Sequence, residues 1–299
     1  MKFWARVRYW LLLNSCRAAG ALPTWLLYPF FQDLLYFANY KVARYRLKVV
    51  RGNLRNSFPE KTPEQLHEIE RRFYRHLSEV VVDTVDLVNI SRRELEERIH
   101  FTNVDEVEAQ MQGKDWIAAL AHFGCWEYFG AYQLHTASQV IGVYRPLHEK
   151  AFDEYYKYMR SRFGLRPVAM HCLLRNIVQN KKNGCRQILG LIADQTPPEP
   201  EINHWFDFLH QPTAFFMGVE KLSLKFGMPV YVMSLSKVSR AHYEVSFHPI
   251  YDGVEPVQEF EITKRYAAEL EKMIRRSPEL WMWSHRRWKH KPVPAVPES

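Results

Sequence analysis

The sequence predicts an α/β protein, with a mostly parallel central sheet flanked by helices and an apolar helical segment at the N-terminus. Three observations point there. From about residue 100 onward, short apolar runs alternate with runs of helical period, the pattern of units that lay helices against a parallel sheet. Three of the apolar runs, Trp116–Ala121, Gln139–Tyr144 and Gln187–Ala193, are followed at once by polar residues. Those polar groups would gather at one rim of the sheet, where open α/β sheets bind ligands. The first forty residues are instead dense in aromatics, among them Trp4, Trp10, Trp25, Phe30 and Phe37.

Taken in order, residues 1–40 read as a membrane-associated helical segment. Its Trp and Tyr density suits the headgroup region of a bilayer, and basic residues flank both ends. The stretch Leu22 to Ala38 carries Pro23, Pro29 and Asp33 and falls short of the ~20 residues a span needs. A shallow interfacial hairpin is therefore favoured over a transmembrane helix, with a hydrophobic helix pair packed on the main core as the plain alternative. If a helix does span, the basic run after Lys41 places the body in the cytoplasm. Residues 41–290 form the α/β domain. A long helix is expected over 63–89: Thr62 caps it, Pro63 suits its first turn, and Gln65 completes a capping box. Its stripe of Leu66, Ile69, Phe73, Leu77, Val80, Val81 and Val85 has helical spacing and reads as core. Ser91 and Glu94 form a second capping box. Helices then follow near 104–111, 126–136, 150–163, 173–181, 217–226 and 263–276. Val230 to Lys237 and Tyr243 to Ile250 read as paired strands. The proline-rich tail, 291–299, is expected to be disordered.

Composition narrows the partners. Forty-one Lys and Arg against 33 Asp and Glu give a net charge of +8, which implies a polyanionic partner, either nucleic acid or an anionic membrane. The basic residues adjoin apolar aromatic stretches rather than a base-stacking motif, so nucleic acid is ranked last. Cys16, Cys125, Cys172 and Cys185 form no CxxC pair, which disfavours a zinc site or disulfide framework and suits a reducing compartment. The remaining histidines lack ligand spacing, so no metal is expected. The short apolar core near the N-terminus, with no small-x-small site after it, does not read as a signal peptide.

The chemistry is concentrated in His122-Phe-Gly-Cys-Trp-Glu127, directly after the first strand. On a regular helix, positions five apart lie roughly 140° from each other. His122 and Glu127 could therefore meet only if the histidine sits in the loop and the acid in the next helical turn, with Gly124 supplying the bend. Arg145 ends the second strand, and Asp194 with Gln195 ends the third. A planar guanidinium at Arg145 suits a phosphate or carboxylate. Asp194 could orient Arg145, bond an acceptor sugar, or merely begin the Thr-Pro-Pro turn. Cys125 beside His122 leaves a Cys/His nucleophile as a minor alternative.

These residues carry a resemblance. His122 to Glu127 resembles the HxxxxD/E motif of glycerolipid acyltransferases and, more narrowly, the H-x-G-x-W-E form of the bacterial lipid A biosynthesis (lauroyl/myristoyl) acyltransferases. Asn53-Leu-Arg-Asn-Ser-Phe-Pro-Glu60, Val143-Tyr-Arg-Pro146, Asp194-Gln195, Phe208 to Thr213, and Trp281-Met-Trp-Ser-His-Arg-Arg-Trp-Lys289 resemble further blocks of that family in the same order. Cys125 stands where asparagine is frequent, and Trp288 where phenylalanine is. The resemblance implies an O-acyltransferase without cofactor, working on the cytoplasmic face of the bacterial inner membrane. Acyl carrier protein or acyl-CoA would donate the chain, and a hydroxyl of a lipid A precursor would accept it. His122 would be the general base and Glu127 would hold its ring, as the acid does in serine-hydrolase triads. Arg145, Asp194 and Gln195 would bind substrate. A ring of His122 sealed away, or aimed far from the side chain of Glu127, would overturn the enzyme reading itself. The alternatives are the same chemistry on a lysophospholipid, glycolipid or aminolipid, and a peripheral membrane protein that binds anionic lipid without catalysis.

Overall fold

The strand Trp116–Leu120 is buried along its whole length. Its run of Trp, Ile, Ala and Leu reads as apolar on both faces, as a strand covered on both sides must be. It is β2 of a seven-stranded sheet in a computed structural model that describes residues 3–292. In chain order the strands are β1 (Ile99–Phe101), β2, β3 (Gln139–Tyr144), β4 (Arg166–Ala169), β5 (Gln187–Ile192), β6 (Phe206–Phe208), β7 (Gln211–Thr213), β8 (Val230–Ser239) and β9 (His242–Tyr251). The order across the sheet is β1-β9-β8-β2-β5-β3-β4, and β6 with β7 forms a separate hairpin.

All neighbours in the large sheet are parallel except β8 and β9. Those two are the pair in this sheet joined by a tight turn, which antiparallel strands allow and parallel ones do not. The expected α/β class with a mostly parallel sheet is therefore present. The expected strands fall within a residue or two of their places, whereas β1, β4, β6 and β7 were not anticipated. Each is only three or four residues long, too short for periodicity to register.

The long helix is Pro63–Asp86, with both halves of the Thr62/Gln65 capping box made. Ser91 and Glu94 form theirs as well. The segment expected as a helix at 126–136 is a run of tighter turns, Trp126–His135. A helix at Leu47–Ser57 was also unanticipated, and its basic outer face had concealed it. At the N-terminus, Phe3–Gly20 is one helix, and Thr24 to Val42 forms a further helical stretch with wide turns at Tyr28–Gln32 and Phe37–Val42. The first packs on Lys150–Ser161 and on Pro63–Asp86. Leu13, Cys16 and Tyr40 join the main hydrophobic core, while Phe3, Trp4, Trp10, Trp25, Phe30 and Phe37 stay exposed. Among the described residues, no helix is long and apolar enough to cross a membrane. The tail expected to be disordered lies, from residue 293 on, outside the described residues.

Candidate active site

The register of two strands builds the site. β2 and β5 lie side by side and parallel, with Leu120 opposite Ile192. Two residues further along each chain stand His122 and Asp194. Both leave the sheet at the same rim, because parallel neighbours end on the same side. Asp194 is buried, and its carboxylate takes three hydrogen bonds. The His122 ring donates from Nδ1 to Oδ1 at 2.8 Å. The His122 backbone N–H donates to Oδ2 at 3.0 Å, and the Trp281 indole N–H donates to Oδ2 at 2.8 Å. Burial by itself would raise the Asp194 pKa. The His122 ring and the N–H donors outweigh it and hold the carboxyl below its ordinary value.

A carboxylate only accepts, so Asp194 fixes the tautomer of His122: the proton sits on Nδ1 and Nε2 is left basic. The side-chain amide of Gln195 lies against that Nε2 at 3.3 Å and donates to it. The ring is not sealed away, since 18% of the side chain is exposed. Trp126 meets it edge-on, with centroids 4.9 Å apart.

The expected His122–Glu127 pair is not formed. Glu127 makes a two-pronged contact with Arg160, at 2.8 and 2.6 Å. The turns that begin at Trp126 carry Glu127 toward the helix Lys150–Ser161, on which Arg160 sits. Burial pushes the Arg160 guanidinium down, Glu127 more than offsets it, and the net pKa is raised. The acid that holds the histidine is Asp194, which the sequence had offered for Arg145 or a sugar. Arg145 is exposed just past β3, and among the described residues it has no hydrogen bond or salt bridge. The strand ends therefore bring His122, Asp194 and Gln195 together, while Glu127 turns to Arg160 and Arg145 stays exposed outside the cluster. Cys125 is fully buried, and burial, with Asp83 and Glu127, drives its thiol pKa well up. A thiol kept protonated is a poor nucleophile, so the Cys/His alternative has no support here.

The C-terminal block is the site's scaffold, a role sequence reasoning missed. The loop after β2 pairs with it: Gly124 N–H donates to Leu280 O at 2.9 Å and Met282 N–H to His122 O at 3.1 Å. Gly124 has φ +59°, and a Cβ there would lie 2.4 Å from Leu235 Cδ2, so glycine is required twice over. Asn53 donates to the carbonyls of Trp283 and His285 at 2.8 and 2.9 Å. The Thr196 N–H donates to His285 Nε2 at 3.3 Å, and burial together with the Arg287 charge pulls that imidazole down to about 4, keeping it neutral. Arg287 is buried against the Phe215 ring, 4.6 Å away, and donates to Ala214 O at 2.6 Å. Trp288 donates to Thr213 Oγ1 at 2.7 Å. Blocks far apart in the chain thus meet around His122. The available signal was the pair of Trp281 and Asp194, each a polar-capable residue in an otherwise apolar context.

Beside His122 lies a narrow cleft of only about 10 Å³, room for about one water molecule. One face of the long helix lines it with Phe73, His76, Leu77 and Val80, and Trp126 and Leu280 to Met282 face them. Two wider clefts, of about 620 and 590 Å³, are lined by none of the strand-end residues. Size does not decide the matter: the narrow cleft is the one that holds the oriented imidazole. Among the described residues, no cluster of three or more His, Cys, Asp or Glu could hold a metal ion.

The sequence model of the family described as "Bacterial lipid A biosynthesis acyltransferase" matches residues 2–290. The lipid A biosynthesis palmitoleoyltransferase of Escherichia coli (strain K12) is 23% identical over 295 residues, covering 96% of this chain and 93% of its own length. A lipid A biosynthesis acyltransferase of Shigella flexneri matches equally, at 23% with the same coverage. One from Haemophilus influenzae is 21% identical over 235 residues, 77% of this chain and 72% of its own.

Proposed function

The chain belongs to the bacterial lipid A biosynthesis acyltransferase family, and from that premise we propose that it moves a fatty acyl chain from an acyl thioester to a hydroxyl of a lipid A precursor. The observation that carries the reading is the state of His122: Nδ1 is committed to Asp194, Nε2 lies against the Gln195 amide, and the residue lines the apolar cleft. An unprotonated imidazole nitrogen at such a place is a general base for an alcohol. The acceptor hydroxyl displaces the Gln195 amide from Nε2 and gives up its proton there as its oxygen attacks the thioester carbonyl. The imidazolium that forms is stabilised by the buried Asp194 carboxylate. It then protonates the departing thiolate. A thioester is already activated, so no acyl-enzyme is needed. A base so placed contributes roughly 10²–10⁴ in rate.

Acyl carrier protein is the proposed donor. Its acidic surface would find the exposed basic residues between Lys41 and Arg55, with acyl-CoA as the smaller alternative. Arg145, exposed just past β3, would take an acceptor phosphate. Membrane contact through the N-terminal segment is part of the proposal. Six large aromatics are exposed on Phe3–Val42, flanked by Arg6, Arg8, Lys41 and Arg44, the combination that seats a protein in an anionic interface. The proposed location is the cytoplasmic face of the inner membrane.

Mass spectrometry of lipid A from a deletion strain tests the reading. Loss of one acyl chain, restored by the wild-type gene and not by His122→Ala, is expected. Unchanged lipid A would reject the acceptor, and the alternative acceptors (a lysophospholipid, a glycolipid or an aminolipid) would then be assayed with the purified enzyme.

A further inference from the structure

The cleft beside His122 contains a second histidine that the mechanism above does not use. His76 lies on the cleft face of the helix Pro63–Asp86, between Phe73 and Val80 at the three- and four-residue spacing that makes one face. It is 5% exposed. Neither ring nitrogen has a hydrogen-bond partner. The Gly124 backbone lies near the ring but not in bonding geometry. Buried polar groups are normally satisfied, and each exception needs a reason. Burial, with the Lys237 charge nearby, pulls the His76 pKa down to about 4 against the opposing influence of Glu79 and Gly124. The ring is therefore neutral, with one N–H to donate and one nitrogen to accept.

We propose that His76 donates its ring N–H to the carbonyl oxygen of the bound acyl thioester and to the oxyanion that oxygen becomes. This rests on the acyl-transfer reading. The cleft is lined mostly by apolar side chains; besides the indoles of Trp126 and Trp281, the latter bonded to Asp194, its polar side chains are His122 and His76. The reaction brings two polar atoms to those walls, and the cleft must widen to take them. The acceptor oxygen belongs at Nε2 of His122, where its proton must go. The other is the thioester oxygen, which becomes negative when the new C–O bond forms. It returns to a carbonyl when the C–S bond breaks and the thiolate takes the proton from His122. A neutral imidazole can serve as such an electrophile. An N–H already fixed in an apolar cleft stabilises developing charge without reorganising. The proton of His76 is never transferred, so the balance of the reaction is unchanged.

The test compares wild type with His76→Phe, which fills the space without a donor, and His76→Gln, which restores an N–H. Removal of one such donor typically lowers kcat by roughly 10²–10³. His76→Phe is expected to show that loss with KM changed less than about threefold, and His76→Gln to recover at least tenfold of it. Melting temperatures accompany both. Phenylalanine removes an unsatisfied buried group, so His76→Phe should be no less stable than wild type. A second readout is binding of two unreactive acyl-CoA analogues. One is a ketone that keeps the carbonyl, and the other a thioether that lacks it. Wild type should favour the ketone about five- to tenfold, and His76→Phe should not. A His76→Phe protein with kcat within threefold of wild type, or an unchanged ketone preference, overturns the proposal and leaves the acyl-transfer reading standing. Should His76→Phe fail to fold, the ketone preference of His76→Gln and His76→Leu decides in the same way. Absence of any acyl transfer by wild type overturns both.

Discussion

Asp194→Asn separates tautomer control from simple charge removal. In the native site Oδ2 takes two N–H donors, from the His122 backbone and from Trp281, while Oδ1 takes only the ring N–H of His122. An asparagine that fits this socket must keep its carbonyl oxygen where two donors converge. Its NH2 then faces Nδ1 of His122. Two donors cannot bond each other, so the ring gives up the Nδ1 proton and carries it on Nε2. The nitrogen that should receive the hydroxyl proton is now occupied. In serine proteases the equivalent change lowers kcat by about 10⁴, and general-base catalysis as a whole is worth roughly 10²–10⁴. Here the expected loss in kcat is therefore about 10³–10⁴, with KM little changed because the cleft keeps its shape. The assay is transfer of labelled acyl chain from acyl carrier protein to lipid A precursor in detergent. His122→Ala and the double variant His122→Ala/Asp194→Asn should be no worse than about the single losses, since the two groups act as a unit. An Asp194→Asn enzyme retaining more than a tenth of wild-type kcat would refute the tautomer reasoning.

Three further outcomes are expected. Glu127→Gln should show first in thermal stability: breaking a buried ion pair costs up to about 3–5 kcal/mol, and somewhat less here because Arg160 remains 22% exposed. Glu127→Gln/Arg160→Gln should be less destabilised than the sum of its parts, and strict additivity would show that the two do not couple. Trp281→Phe removes one of three donors to Asp194. A hydrogen bond to a charged group is worth about 1.5–3 kcal/mol, so kcat should fall about tenfold or somewhat more, with an unaltered value counting against the scaffold role. Asp83 is buried, and burial, then Glu79, push its carboxyl up to about 7, against hydrogen bonds from Tyr28 and Tyr243. A raised carboxyl pKa stabilises the fold fully below its unfolded value and loses that contribution as pH rises through the folded one. The Tm advantage of Asp83→Asn over wild type should therefore grow between pH 5 and pH 8, and parallel Tm profiles of the two would contradict it.

Much of this was readable from the chain. Doubly buried strands such as Trp116–Leu120 announce themselves through unbroken apolar runs, because a strand covered on both faces leaves water no side to reach. Capping boxes at Thr62 and Ser91 mark helix starts because the orphan N–H groups there need local acceptors. His122, Asp194 and Gln195 were singled out by standing at strand ends, a local property. Which of them touch was not local. The HxxxxE spacing suggested Glu127 as the partner of His122, since the two are five residues apart. Only the adjacency of β2 and β5 sets Asp194, 72 residues away, beside the imidazole. Glu127 went instead to Arg160, 33 residues on, and His76 came to the same cleft from a helix whose period spoke only of core packing. Periodicity and caps depend on a few neighbouring residues and can be read along the chain. Partnership depends on strand order and register, and these exist only once the sheet has been assembled.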